Sequence, residues 1–591
     1  MTDNRVWKLP ESAPDPAELA AAWTKVVENG MAAIKAGARP SASFAFDPTA
    51  PARAMFEFQA QLWSNPLSVL QASQAAATEW MELWSAAARR AAGGGEVEPL
   101  IAPERGDRRF GDPAWSEDPA FDYLKQAYLL ASRQATELVE EAEGIDDATR
   151  TRALFFTQAY LNALSPANFA FTNPEAIRRA IDTGAISLLS GLANLLADAA
   201  TDAKLPVRRA SAEFELGRDI AVTPGSVIFQ NALMQLIQYA PMTETVHKRP
   251  LLYVPPLVNK YYLLDLQPRS SLIRWLVEQG HTLFVISWVN PGPELAHKGL
   301  DDYLDEGPLA ALDVVAKATG EKAVDLFGFC MGGTLAGMAA KKNGDSHLFS
   351  DKGAKKNGGR PHFSSLTVIG SMFDFSNMGQ WATFREPKQL EAMEKHLAAK
   401  GVMAAHELQA LFSVVRANDL IWSSVVSHYL LDKEAPPSDI LHWFADGANI
   451  PAAFLTEWTK RILVGNELTQ PGAIAIGTPA LVISLKDDHV SAWQATYDGA
   501  KLLGPQARFL LGGSGHNAGV INPPAANKHG YWSNADMPET AEQWLETATR
   551  HEGSWWPEWQ AWLTRDGAER VKARKPKKEL EPAPGSYVRR R

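Results

Sequence analysis

Cysteine is almost absent from this chain, which has a single one, Cys330, in 591 residues. That excludes an intrachain disulfide and any zinc site built on several cysteines, and it fits a reducing, cytoplasmic compartment. Met1-Thr2-Asp3-Asn4-Arg5-Val6-Trp7 has no basic stretch followed by an apolar run, so no secretory signal is expected. Long apolar runs are also lacking. The most apolar helical stretch, Gly184 to Ala200, is interrupted by Ser187, Ser190, Asn194 and Asp198, and reads as a buried or amphipathic helix rather than a membrane span. Finally there is no excess of positive charge, because 58 basic against 68 acidic side chains leave a formal net charge of -10, which argues against a general nucleic-acid binder. No bound metal and no cofactor of the protein's own are expected.

What is present is an ordinary globular composition, 46% hydrophobic and 21% charged, in a chain too long for one core. Two folded units are therefore expected. Residues 1–205 read as an all-helical N-terminal domain, its start expected to be disordered up to about residue 60. Leu62 to Ala92 is rich in Ala, Leu and Trp at helical spacing and stops at the breaker Gly93-Gly94-Gly95. Phe121 to Glu143, Asp147 to Leu164 and Asn173 to Ala200 come next as helices, with Ser165-Pro166 and Thr172-Asn173-Pro174 supplying turn and cap chemistry.

After Pro206 short apolar runs alternate with helical patterns, the signature of a mostly parallel sheet covered on both faces. Strands are expected at Pro250 to Val254, Thr282 to Trp288, Ala323 to Phe327, Ser365 to Gly370, Pro479 to Leu485 and Arg508 to Leu511. Between the fourth and fifth lies a long, mainly helical insertion, about residues 372–475, expected to cap the active site. The segments Lys388 to Lys400, Ala405 to Val415, Asp419 to Leu431 and Pro451 to Leu463 are its helices. Lys341 to Pro361 reads as a solvated loop, and the basic tail Arg570 to Lys578 with Arg589 to Arg591 as a solvated end.

The chemistry concentrates in Asp325-Leu326-Phe327-Gly328-Phe329-Cys330-Met331-Gly332-Gly333-Thr334, an apolar strand running through Gly-x-Cys-x-Gly-Gly into a helix. This is a nucleophile elbow with cysteine in place of serine, and it identifies the sheet as an α/β-hydrolase fold. The turn is strained, so Gly328 and Gly332 must be small, and Cys330 at the start of a helix is expected to favour its thiolate.

In this fold the acid and the base come after the nucleophile, each just beyond a strand end. One strand runs into Lys486-Asp487-Asp488-His489 and the next into Gly512-Gly513-Ser514-Gly515-His516. His516 is assigned as general base and Asp488 as its carboxylate partner, with His489 and Asp487 as competitors. An oxyanion hole is expected from the backbone N–H of Met331 and of Val258 or its neighbour Leu257, in the loop after the first core strand. A thiol suits a thioester donor: transfer onto sulfur keeps the acyl group activated, and later transfer to an alcohol runs downhill. Acyl transfer from an acyl-CoA under a water-excluding cap is thus the expected chemistry.

These residues resemble the class I polyhydroxyalkanoate synthases. Besides the elbow, the likeness includes Ser165-Pro166-Ala167-Asn168-Phe169, Thr172-Asn173-Pro174-Glu175, Thr223-Pro224-Gly225, Leu236-Ile237-Gln238-Tyr239 and Pro255-Pro256 with Asn259-Lys260-Tyr261-Tyr262-Leu263-Leu264-Asp265-Leu266. It continues through Asn418-Asp419-Leu420-Ile421-Trp422, Gly515-His516, Gly519-Val520-Ile521-Asn522-Pro523-Pro524 and Gly553-Ser554-Trp555-Trp556-Pro557. The resemblance implies polymerisation of (R)-3-hydroxyacyl-CoA, with short chains such as 3-hydroxybutyryl-CoA, into polyester with release of CoA. It implies a Cys330, Asp488 and His516 site in which His516 activates Cys330 and Asp488 helps activate the 3-hydroxyl. Homodimerisation and attachment to the polyester granule surface are implied as well. Asn517 stands where an apolar residue is expected, and the Lys341 to Pro361 loop is long. A thioesterase or polyester depolymerase on the same fold is the alternative reading, and a non-catalytic granule scaffold a more distant one.

Overall fold

The computed structural model describes residues 15–37, 47–64, 66–92, 98–104, 106–200, 214–348, 361–433, 437–566, 569–577 and 579–591. Two compact units result, one of Met1–Arg209 with Ala382–Ala392 and His406–Pro436, the other of Ala210–Trp381 with Met393–Ala405 and Pro437–Arg591. The expected boundary at 205/206 lies outside the described residues.

The first unit is helical. Pro16–Gly37 and Ala50–Leu62 are helices where disorder is expected. The second of them buries Ala50, Ala54, Phe58 and Leu62, a stripe of every fourth residue, and packs Phe58 and Leu62 with Val139, Ile145 and Ala153. Such a narrow stripe in an Ala-rich sequence carries little compositional signal. The helix expected from Leu62 is Pro66–Ala91, and the triglycine at 93–95 is outside the described residues. Pro119–Glu141 and Asp147–Ala163 come next, capped by the side chains of Asp118 and Asp146. Asn173 caps Pro174–Asp182 by accepting from the backbone N–H groups of Glu175 and Ala176. The single helix expected over Asn173 to Ala200 is in fact two, because Gly184 and Ala185 take positive φ of 56° and 69° and bend the chain by 111° before Ile186–Ala199. No single described helix is long and apolar enough to cross a membrane.

The insertion at about 372–475 is not one body. Two of its segments belong with the helical unit: Phe384 packs edge-on to Phe155 at 5.5 Å, Gln389 accepts from the Asp47 N–H at 2.7 Å, and the Tyr429 hydroxyl donates to Asp198 at 2.7 Å. Gly191 is required at that last contact, since a Cβ there would lie 1.8 Å from the Tyr429 carbonyl oxygen.

The second unit holds a sheet of eleven strands. In chain order they are β1 Gly225–Gln230, β2 Met234–Tyr239, β3 Leu251–Val254, β4 Leu283–Trp288, β5 Ala323–Phe329, β6 His362–Ile369, β7 Ala480–Leu485, β8 Ala507–Gly512, β9 Tyr531–Ser533, β10 Thr549–His551 and β11 Glu581–Pro582. The spatial order is β10-β9-β8-β7-β6-β5-β3-β4-β2-β1-β11. The run from β8 to β4 is parallel and contains all six expected strands; the flanking strands pair antiparallel. β1 and β2 escape a reading by alternation because β2 is buried on both faces yet carries two glutamines. Gln235 bonds to Gln230 and Ser586, and Gln238 to the Arg574 carbonyl.

The C-terminal tail keeps Arg570, Lys572, Lys575, Lys577 and Arg589 to Arg591 exposed, as expected, yet its backbone is tied down. Arg570–Lys572 pairs with Thr245–His247, Arg574 pairs with Glu321 at 2.8 Å, and Tyr587 and Val588 are buried. The Lys341 to Pro361 stretch also departs from expectation: the elbow helix runs Met331–Leu348, and residues 349–360 lie outside the described residues.

Candidate active site

β5 delivers Cys330 to the C-terminal edge of the sheet, and Met331 starts the next helix at once. Cys330 sits at φ +54°, the strained conformation of an elbow. Its N–H donates to the Ile369 carbonyl at 2.9 Å, and Ser371 Oγ bonds to its carbonyl at 2.5 Å. The crowding that demands glycine is explicit. A Cβ on Gly328 would lie 2.4 Å from the Gly332 carbonyl oxygen, and one on Gly332 would lie 2.3 Å from that of Val254.

β7 and β8 end beside it. Asp488 Oδ1 accepts the N–H groups of Val490 at 2.7 Å and Ser491 at 2.9 Å, which leaves Oδ2 to accept from His516 Nδ1 at 2.6 Å. Both side chains are buried. The ring of His516 leans on Phe329, centroids 4.8 Å apart, and lies over Gly370, where a Cβ would be 3.3 Å from Cε1. Burial alone would push the imidazolium down, but the Asp488 carboxylate and then the Cys330 sulfur, which hydrogen-bonds to it, outweigh burial and raise His516 from 6.5 to about 10.

The competitors lie elsewhere. Asp487 is exposed, with its backbone N–H on the Ser514 carbonyl, and His489 is exposed, with its carbonyl accepting from Trp381 Nε1 at 3.0 Å. Val254 and Pro255 run against Gly332, which brings the loop containing Leu257 and Val258 to the elbow; the Val258 carbonyl accepts from Ala448 at 3.0 Å. Asn517 leaves its Oδ1 buried without a hydrogen bond. Among the described residues no group of three or more His, Cys, Asp or Glu side chains is placed to hold a metal ion.

Several supporting residues are not legible as site residues in the sequence. Ser491 Oγ donates to the Gly370 carbonyl at 3.0 Å, tying the acid loop to the strand under the imidazole. Trp555 and Trp556 donate their indole N–H to the carbonyls of Gly519 and Val520, at 2.8 and 3.0 Å, and so pin the loop that carries His516. Lys260, from the same loop as Val258, is buried; its Nζ bonds to Asp446 and to the Arg590 carbonyl, while Tyr262 donates to the other Asp446 oxygen at 2.9 Å. The Gly-Ser-Trp-Trp and Asn-Lys-Tyr-Tyr runs are the available signal, since such polar and aromatic clusters inside a core need partners.

The family described as Poly-beta-hydroxybutyrate polymerase (PhaC) N-terminus matches residues 106–276, and the α/β hydrolase fold matches residues 263–523. The chain is 39% identical over 548 residues to a poly(3-hydroxyalkanoate) polymerase of Methylorubrum extorquens, covering 90% of this chain and 88% of that one. A poly(3-hydroxyalkanoate) polymerase subunit of Cupriavidus necator is 39% identical over 505 residues, with 82% and 83% covered. One of Rhizobium etli is 36% identical over 603 residues, with 98% and 93% covered.

Proposed function

Since this chain belongs to the poly(3-hydroxyalkanoate) polymerase family and is an acyltransferase of that family, we propose that it holds the growing polyester as a thioester on Cys330. The reading is carried by one observation, the bond from His516 Nδ1 to Asp488 Oδ2 at 2.6 Å beside an elbow cysteine at φ +54°.

The Cys330 thiol passes its proton to His516, and the thiolate attacks the thioester carbon of a (R)-3-hydroxyacyl-CoA. The oxyanion is met by the backbone N–H of Met331 and of Val258. The carbon–sulfur bond to CoA then breaks, and the CoA thiolate leaves with the proton from His516. In the next step the 3-hydroxyl of an incoming hydroxyacyl-CoA attacks the acyl-cysteine, its proton passes to His516, the carbon–sulfur bond to Cys330 breaks, and the freed thiolate takes the lengthened chain back from CoA by the same exchange. Asp488, within reach of that hydroxyl's proton through His516, helps to deprotonate it. No cofactor is required beyond the CoA that the substrate carries. Short substrates such as 3-hydroxybutyryl-CoA fit this reading, as do cytoplasmic localisation, homodimerisation and attachment to polyester granules. Trp23, Val27, Met31 and Ile34, exposed along the helix Pro16–Gly37, support the last of these as an apolar stripe suited to an apolar polymer.

Intact-mass analysis of the protein exposed to 3-hydroxybutyryl-CoA tests the reading. A hydroxyacyl adduct on Cys330, absent in Cys330→Ala together with CoA release, is the expected result. CoA release undiminished in Cys330→Ala would overturn it.

A further inference from the structure

A substrate ending in a pyrophosphate and a 3′-phosphate is repelled by a chain of net charge -10 unless cations face it near the site. The loops leaving the C-terminal ends of the parallel strands contain few. Lys260 after β3 is buried against Asp446, and Lys298 after β4 pairs with Glu306 at 2.5 Å. On the helix after β5, Lys342 pairs with Asp301 and Asp305 at 2.9 and 2.8 Å. Gly370 to Trp381 after β6 contains no Lys or Arg.

Two cations meet on one indole. Lys486, at the end of β7, holds its Nζ 4.5 Å from the ring centroid of Trp532, and Arg550 holds its guanidinium 5.8 Å from the same ring. The register explains the alignment: Leu485 pairs with Gly512, Trp532 with Leu511, and Arg550 with Trp532, so the three side chains form a row across the end of the sheet. The turn Lys528-His529-Gly530 borders this row, since a Cβ on Gly530 would lie 3.8 Å from Arg550 Nε. Lys486, Lys528 and Arg550 are exposed, and Lys486 and Lys528 have no ion-pair partner among the described residues. Arg550 has only Glu552, 3.3 Å away on a side chain 78% exposed, a weak pair. Like charges gathered on one ring repel each other, and an anion between them relieves that repulsion.

We propose that Lys486 and Arg550, both over the ring of Trp532, together with Lys528 in the bordering turn, bind the phosphates of the CoA portion of the substrate. Lys486 precedes by two residues the Asp488 that holds His516, so phosphates docked there leave the pantetheine arm to run toward Cys330. The proposal rests on the reading of an acyl-CoA substrate.

The test compares 3-hydroxybutyryl-CoA with 3-hydroxybutyryl-N-acetylcysteamine, a thioester without nucleotide or phosphate, on the full-length chain. Lys486→Ala/Arg550→Ala should raise KM for the CoA thioester by about fivefold or more while leaving kcat close to wild type. Its kcat/KM for the N-acetylcysteamine thioester should be unchanged, and Lys486→Arg should behave as wild type. Added salt should raise the wild-type KM for the CoA thioester alone. An unchanged KM for the CoA thioester in the double variant overturns the proposal, as does an equal loss with both thioesters, which would mark a structural role. Failure of the wild type to turn over either thioester would sink the underlying acyl-transfer reading instead, and the proposal with it.

Discussion

Lys260 Nζ lies 2.6 Å from Asp446 Oδ1, and this largely buried ion pair joins the loop of the expected oxyanion donor Val258 to the segment just beyond the helix Asp439–Ala445. The same two stretches meet again where Ala448 donates to the Val258 carbonyl. Two charges out of water are tolerated here because Tyr262 and the Arg590 carbonyl complete their hydrogen bonds.

Removing one partner strands the other. Lys260→Met should destabilise the fold by about 3 kcal/mol, and Lys260→Met/Asp446→Leu should recover most of that loss. Urea unfolding of the two variants beside wild type measures both; equal destabilisation would mean the charges do not stabilise each other.

The elbow allows no methyl group. Gly332→Ala forces a Cβ to within 2.3 Å of a backbone oxygen, so it should cost about 1–3 kcal/mol of stability and displace Cys330. Loss of the hydroxyacyl adduct at a temperature where circular dichroism still reports a folded chain is the expected outcome.

Asp488→Asn keeps an acceptor for the N–H groups of Val490 and Ser491 but offers His516 no negative charge. Steady-state polymerisation should fall by about 10²–10⁴-fold, while a single acyl adduct on Cys330 still forms. Wild-type turnover in this variant would hand the acid role to Asp487.

Asp265 is fully enclosed, and burial, opposed by hydrogen bonds from Ser271 and Thr223, pushes its carboxyl up from 3.8 to about 7. Between those values the folded chain keeps a proton that the unfolded chain has released. The stability this group contributes is thus greatest below pH 3.8 and falls as pH rises to about 7. Asp265→Asn retains an acceptor for both hydroxyls and removes the slope. Its urea midpoint should therefore gain on wild type between pH 5 and pH 7, and a constant difference across that range would refute the assignment.

The local sequence determined a good deal. Gly328 and Gly332 around Cys330 announced the elbow because only glycine fits where backbone crosses backbone, and apolar runs ending in Lys486-Asp487-Asp488-His489 and Gly515-His516 marked two strand ends in the order the fold demands. All six parallel strands were readable for the same reason: strands buried on both faces are continuous apolar runs. Tertiary structure alone decided between neighbours such as Asp487 and Asp488, since which carboxylate turns inward depends on the N–H groups of Val490 and Ser491. It also assigned parts of the insertion to the helical unit and paired the basic stretch Arg570–Lys572 with Thr245–His247 in a separate two-stranded ribbon. Those outcomes rest on contacts between residues hundreds of positions apart, such as Phe155 with Phe384 and Thr245 with Lys572, whose pairing no local pattern encodes.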